Sequence, residues 1–154
     1  MKVVMNWMFD SCLRPPRAKY DIDNTICLIE NRTREVFIRD DVTFVNDSSE
    51  TLHGSFWHER NSTNPTSCII FLHSLGTNQF ECLNLVPFLC TPDLALFSFD
   101  FSGSGISEGD VIPLAGQGSQ DVLAAESYLR TQMKITQIAI WGRSMGAAIG
   151  LNTV

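Results

Sequence analysis

Three short, uninterrupted apolar runs constrain the fold of this chain most: Cys68-Ile-Ile-Phe-Leu, Leu94-Ala-Leu-Phe-Ser-Phe and Ile138-Ala-Ile-Trp. A strand with one wet face alternates polar and apolar residues, whereas a run without alternation suits a parallel strand covered on both faces. Two stretches with helical spacing lie between the runs. Phe80 to Leu89 carries Cys82, Leu83, Leu85, Val86 and Leu89; Gln117 to Met133 sets Val122, Leu123, Ala125, Tyr128 and Leu129 on one side. Strand, helix, strand, helix, strand predicts an α/β fold with a right-handed parallel sheet and flanking helices. Upstream, Glu35-Val-Phe-Ile-Arg and Val42-Thr-Phe-Val read as a strand region. Thr51-Leu-His-Gly-Ser-Phe-Trp-His is its hairpin partner across an Asn46-Asp-Ser-Ser turn. Asn61-Ser-Thr-Asn-Pro reads as a loop. The sequence divides into a leading segment, 1–35, and an α/β domain, 36–154.

Composition narrows the function classes. Seventeen acidic residues against eleven basic ones give a net charge of −6. That excludes a nucleic-acid surface, which needs clustered Lys and Arg. The one basic cluster, Arg14 to Lys19, is broken by Pro15 and Pro16 and reads as a solvated, extended stretch. Five cysteines (Cys12, Cys27, Cys68, Cys82, Cys90) include no CxxC pair and no metal spacing. They read as small buried hydrophobes, which suits a reducing compartment and a cytoplasmic location. Met1 to Phe9 is too short for a signal-peptide core and lacks a cleavage site, so it reads as a tail packed on the domain. No stretch approaches the roughly 18 apolar residues of a membrane span, and nothing in the sequence supports membrane association. The sequons at Asn31, Asn46 and Asn61 carry no weight without a secretory route. His53 and His58 are five apart on a presumed strand, hence on opposite faces, and cannot share a metal. No metal and no cofactor are expected.

The third apolar run leads directly into Trp141-Gly142-Arg143-Ser144-Met145-Gly146-Ala147-Ala148. This is G-x-S-x-G between a strand and a helix-forming segment, a context that gives the pattern meaning. A serine on so sharp a bend needs neighbours without side chains two positions before and after it, which explains Gly142 and Gly146. The bend lifts the Ser144 hydroxyl clear of the sheet at a helix N-terminus, where free N–H groups favour developing negative charge. Gly103, Gly105 and Gly109 also follow a strand, with Asp121 further on. Their spacing is one residue too long for a dinucleotide fingerprint, and Pro113 and Gly116 delay the next helix. Glu108, Asp110 and Asp121 are expected at the surface or fixing loops.

Three motifs in order, Phe71-Leu-His-Ser-Leu-Gly-Thr-Asn, Phe99-Asp-Phe-Ser-Gly-Ser-Gly-Ile-Ser-Glu-Gly and Trp141-Gly-Arg-Ser-Met-Gly-Ala, resemble successive signatures of the α/β-hydrolase superfamily. The serine-aminopeptidase-like branch looks most similar, over residues 36 to 154. The resemblance implies a mostly parallel sheet flanked by helices and acyl transfer to water, from a small-molecule, lipid or peptide acyl substrate. It implies Ser144 as nucleophile, with the backbone N–H groups of Leu75 and Met145 as oxyanion donors. His73 is implied to be a structural histidine and Gly76 part of the same loop. Asp100 and Ser102 are implied to fix the turn at the rim. Ser74 stands where the family has glycine, leaving the loop less freedom.

In this family the order is Ser, then an acid, then His. After Ser144 the sequence contains no Asp, Glu or His, and all three histidines (His53, His58, His73) precede it. The expectation is therefore the front part of a serine hydrolase, inactive by itself. With the sheet ending at Ile138-Ala-Ile-Trp, a hydrophobic edge would be left open. The alternative is a non-catalytic α/β domain that serves as a binding or interaction module.

Overall fold

A computed structural model describes residues 16–23, 25–32, 34–112 and 116–154. The expected Met1 to Phe9 tail, Cys12, Arg14, Pro15 and Pro113 lie outside these. Among the described residues six strands form one sheet: β1 (Leu28–Glu30), β2 (Val36–Val45), β3 (Thr51–Glu59), β4 (Ser67–Leu72), β5 (Leu94–Phe99) and β6 (Gln137–Gly142). Their order is β1-β2-β3-β5-β4-β6. β1, β2 and β3 form an antiparallel meander, and β3 joins β5 antiparallel. The β5-β4-β6 portion is parallel, as the uninterrupted apolar runs predict. The sheet reaches into the leading segment, because β1 pairs Leu28 with Ile38 and Glu30 with Val36.

Among the described residues three helices follow in chain order: α1 (Val86–Leu89), α2 (Gly116–Thr131) and α3 (Met145–Thr153). Alternation along the strands sends successive side chains to opposite faces, and the helices cover both. On one face Cys68, Ile70, Leu72, Phe97 and Phe99 pack with Val122, Ala125 and Leu129 of α2 and Met145 and Ile149 of α3. On the other, Phe71, Leu96 and Trp57 meet Cys82, Val86 and Cys90. Fully burying a Leu, Ile or Phe side chain is worth roughly 1.5–3 kcal/mol, so these central strands anchor the layers. No helix of the described residues is long and apolar enough to cross a membrane.

The helix expected over Phe80 to Leu89 is instead a 3-10 turn, Gln79–Cys82, followed by the single turn of α1. Pro87 is the reason. Its ring clashes with the carbonyl four residues back and it has no N–H to donate, so a helix cannot run through it. At the start of α1 neither fault matters.

β6 differs from the other two parallel strands. Among the described residues it pairs only with β4 and ends the sheet. Ile138 and Ile140 are half-buried, whereas Ala139 is exposed and Trp141 is 45% exposed. A groove lined by Ile140, Gly142, Ala147, Gly150, Leu151 and Val154 opens beside it. The strand segment Gln137–Gly142 carries no charge and no proline, the usual guards of an open edge. The 154-residue chain is therefore expected to self-associate through β6. Ala139→Lys should shift it toward monomer, read by light scattering after size exclusion.

Candidate active site

The three sequence motifs converge because each follows the carboxyl end of a parallel strand, and those strands are neighbours. His73 follows β4, Asp100 follows β5, and Arg143-Ser144 follows β6. Leu72 pairs with Gly142 in register, and the Arg143 N–H continues the ladder to the Leu72 carbonyl at 3.0 Å. The chain turns at the next residue. Ser144 has φ 49° and ψ −115° and is exposed. A non-glycine residue at positive φ costs of order 1–3 kcal/mol and needs its surroundings to hold it there. The Gly146 N–H closes the bend onto the Arg143 carbonyl at 2.9 Å, and α3 begins at Met145.

The flanking glycines are required sterically. A Cβ on Gly142 would lie 2.4 Å from the Ala147 backbone nitrogen, and one on Gly146 would lie 2.2 Å from the Leu72 carbonyl oxygen. The loop after β4 has its own left-handed residue, Gly76, at φ 75°. Among the described residues, the backbone N–H groups of Leu75 and Met145 donate to no partner. Two amides, one in the loop after β4 and one at the helix start after β6, thus have free donors.

His73 is fully buried. Its Nε2 accepts the Phe101 N–H at 3.2 Å, so the ring proton sits on Nδ1, which donates to the Ser74 carbonyl at 2.8 Å. Both nitrogens are engaged, Nε2 joining the β4 loop to the turn after β5 and Nδ1 bonding within the loop. Burial pushes its pKa below the ordinary histidine value, against the pull of the Ser74 carbonyl and of Asp100 and Glu81. Asp100 is also buried. Its carboxylate accepts the N–H groups of Gln79 (2.7 Å) and Ile106 (3.0 Å) and the Tyr20 hydroxyl, fixing the turn from both sides. Burial and the Asp100 charge raise the Tyr20 pKa, so the phenol stays a donor. Ser102 sits between carboxylates: its N–H donates to Asp121 at 2.9 Å and its hydroxyl to Glu50 at 2.7 Å.

Of the three acids expected at surfaces or in loops, Asp121 is buried, with burial raising its pKa. Asn46 donates to it at 2.8 Å. Glu108 is exposed and caps the Thr51 N–H at 2.6 Å; Asp110 is exposed. His53 and His58 both lie on β3, the latter beside Asp40 at 3.1 Å. Of the expected buried cysteines, Cys68, Cys82 and Cys90 are buried thiols. Burial pushes Cys82 up to about 11 and Cys90 up to about 12, while Cys27 is exposed. Among the described residues no group of three or more His, Cys, Asp or Glu is placed to hold a metal ion.

Two sets of residues escape sequence reasoning. Tyr20 and Arg17, from the leading segment, bind the β5 turn, Arg17 donating to the Ser107 carbonyl at 2.6 Å. Nothing in the sequence links positions 80 and 90 residues apart. Glu81 is the second: it accepts the Ser74 N–H (2.7 Å), the Ser74 hydroxyl (2.9 Å) and the Thr77 hydroxyl (2.9 Å). It also faces Arg143 Nη1 at 3.3 Å. Burial would raise its pKa, but these hydrogen bonds and the Arg143 guanidinium outweigh that and hold it below the ordinary carboxylate value. A lone charge in an otherwise uncharged stretch is the available signal.

No protein-family model matches the sequence, and no curated protein matches it. Solved structures do. An esterase of Pyrococcus furiosus is similar with a TM-score of 0.65 and 22% identity, over 73% of this chain and 44% of that one. A serine hydrolase without a lid from Xanthomonas campestris gives 0.63 and 18%, over 75% of this chain and 55% of that one. An α/β-hydrolase of a Penicillium species gives 0.64 and 19%, over 75% and 40%. The sheet is of the α/β-hydrolase type, and the chain spans less than half the length of the first of these structures.

Two outcomes are expected. Gly146→Ala should lower stability by about 1–3 kcal/mol through overlap with the Leu72 carbonyl, measured by denaturant unfolding. For His73 the unfolded state gains a proton near pH 6.5 while the folded state resists it. Its contribution to stability is then complete above that pH and is lost as pH falls below it. The melting temperature should drop between pH 7 and 5, and the drop should shrink in His73→Gln.

Proposed function

We propose that this chain carries the nucleophile half of a serine hydrolase that cleaves an ester, thioester or amide of a small acyl substrate. The observation that supports it is Ser144, exposed at φ 49° on the bend between a parallel strand and a helix, with free N–H groups on Met145 after it and on Leu75 in the loop that follows the neighbouring strand. In this reading the Ser144 hydroxyl oxygen attacks the substrate carbonyl and its proton passes to a base. The carbonyl oxygen gains charge and is received by the Leu75 and Met145 N–H groups. The leaving group departs with a proton, and water then releases the acid and restores the serine. Each such donor is worth about 100- to 1,000-fold in rate.

A serine hydroxyl is a weak nucleophile without a base. His73 does not fill that place, because both its nitrogens are already hydrogen-bonded. After Ser144 the sequence offers no Asp, Glu or His. The 154 residues alone are therefore expected to turn over no substrate. A second reading, a non-catalytic module that keeps the elbow without the chemistry, is favoured by the engagement of both His73 nitrogens.

Labelling with a fluorophosphonate probe separates the two. In the natural full-length product, the hydrolase reading expects label on Ser144 and none in Ser144→Ala. Label that survives the substitution would discredit the assignment. A natural product that stays unlabelled yet folds would support the binding module.

A further inference from the structure

Glu81 holds four contacts with a single carboxylate, and they straddle the Leu75 amide. One oxygen accepts the Ser74 N–H and the Thr77 hydroxyl; the other accepts the Ser74 hydroxyl and faces Arg143 Nη1. Ser74 directly precedes Leu75, and Thr77 closes the turn by donating its N–H to the Ser74 carbonyl at 3.3 Å. With residues 74 and 77 tied, the Leu75 N–H has little freedom, although Gly76 would otherwise give the loop some. Arg143 directly precedes Ser144, and its own N–H is fixed to Leu72. One acid therefore links the loop that offers an amide to the bend that offers a hydroxyl.

Resting on the reading of Ser144 as nucleophile and Leu75 as oxyanion donor, we propose that Glu81 is a positioning residue that sets the Leu75 amide against Ser144. The chemistry requires a carboxylate. All four neighbours are donors, and only an ionised carboxylate is acceptor-only on both oxygens. The arrangement also accounts for Ser74 in place of glycine: its hydroxyl gives Glu81 a third hold on the loop, replacing backbone freedom with a tether.

The test is Glu81→Gln in the natural full-length product, with fluorophosphonate labelling and ester hydrolysis as readouts. Glutamine keeps the volume but turns one acceptor into a donor, which must oppose either the loop or Arg143. Misplacing an oxyanion donor weakens the transition state and not the ground state, so kcat should fall about 10- to 100-fold. KM and the melting temperature should stay near wild type. General loosening would raise KM and lower the melting temperature together. Arg143→Gln, which removes only the link to the elbow, should lower kcat less, at steady KM. Wild-type label on Ser144 with unchanged kcat in Glu81→Gln overturns the inference and leaves the hydrolase reading intact. Wild-type protein without label overturns both. If Glu81→Gln does not fold, Arg143→Gln and Ser74→Ala decide: unchanged kcat in both overturns the inference.

Discussion

The Leu72 carbonyl is the point on which the candidate site rests. It accepts the Arg143 N–H, which keeps β6 in register with β4 to the last residue before the bend. The same oxygen limits how closely α3 can approach, since it lies where a Gly146 Cβ would be. Strand pairing and helix seating are thus set at one atom, and Ser144 lies between them. A residue at positive φ persists only when its neighbours over-determine it. Here a ladder hydrogen bond before it and a helix-starting bond after it do so within four residues.

Around that point the rim is held by hydrogen bonds among buried polar groups. His73, Asp100, Ser102 and Asp121 are all buried, and their hydrogen bonds cross between the β4 loop, the β5 turn and α2. Leaving such a group unpaired costs about 1–3 kcal/mol, so loops fixed this way cannot drift singly. That explains how a turn rich in glycine and serine, 102–109, holds one geometry. It also separates histidine as a scaffold from histidine as a base: a ring with both nitrogens engaged has no free lone pair for a serine proton.

The sequence made the strands and the bend legible because their signals are local. Uninterrupted runs marked β4 and β5 as covered on both faces, and the glycines around Ser144 marked a bend that only small residues tolerate. The break at Pro87 was also local, yet apolar spacing over Phe80 to Leu89 masked it. Long-range polar pairing was not legible. Tyr20 meets Asp100, and Asn46 meets Asp121, across 80 and 75 residues, and a hydrogen bond leaves no periodic trace. Glu81 shows the limit: its charge stands out in an uncharged stretch, but only the fold reveals four donors around it.

The placement of β6 joins the chemistry to the edge of the sheet. The bend at Ser144 is held from the β4 side, by Leu72 and through Glu81 and Arg143, while the other side of β6 faces an apolar groove. A strained residue on a strand supported from one side depends more on that support than one in mid-sheet would. The ties among Leu72, Arg143 and Glu81 therefore serve two ends at once, keeping β6 in register with β4 and linking the bend to the loop after β4. Any element that covers the open edge of β6 would stiffen the bend by the same route, through the strand that carries it.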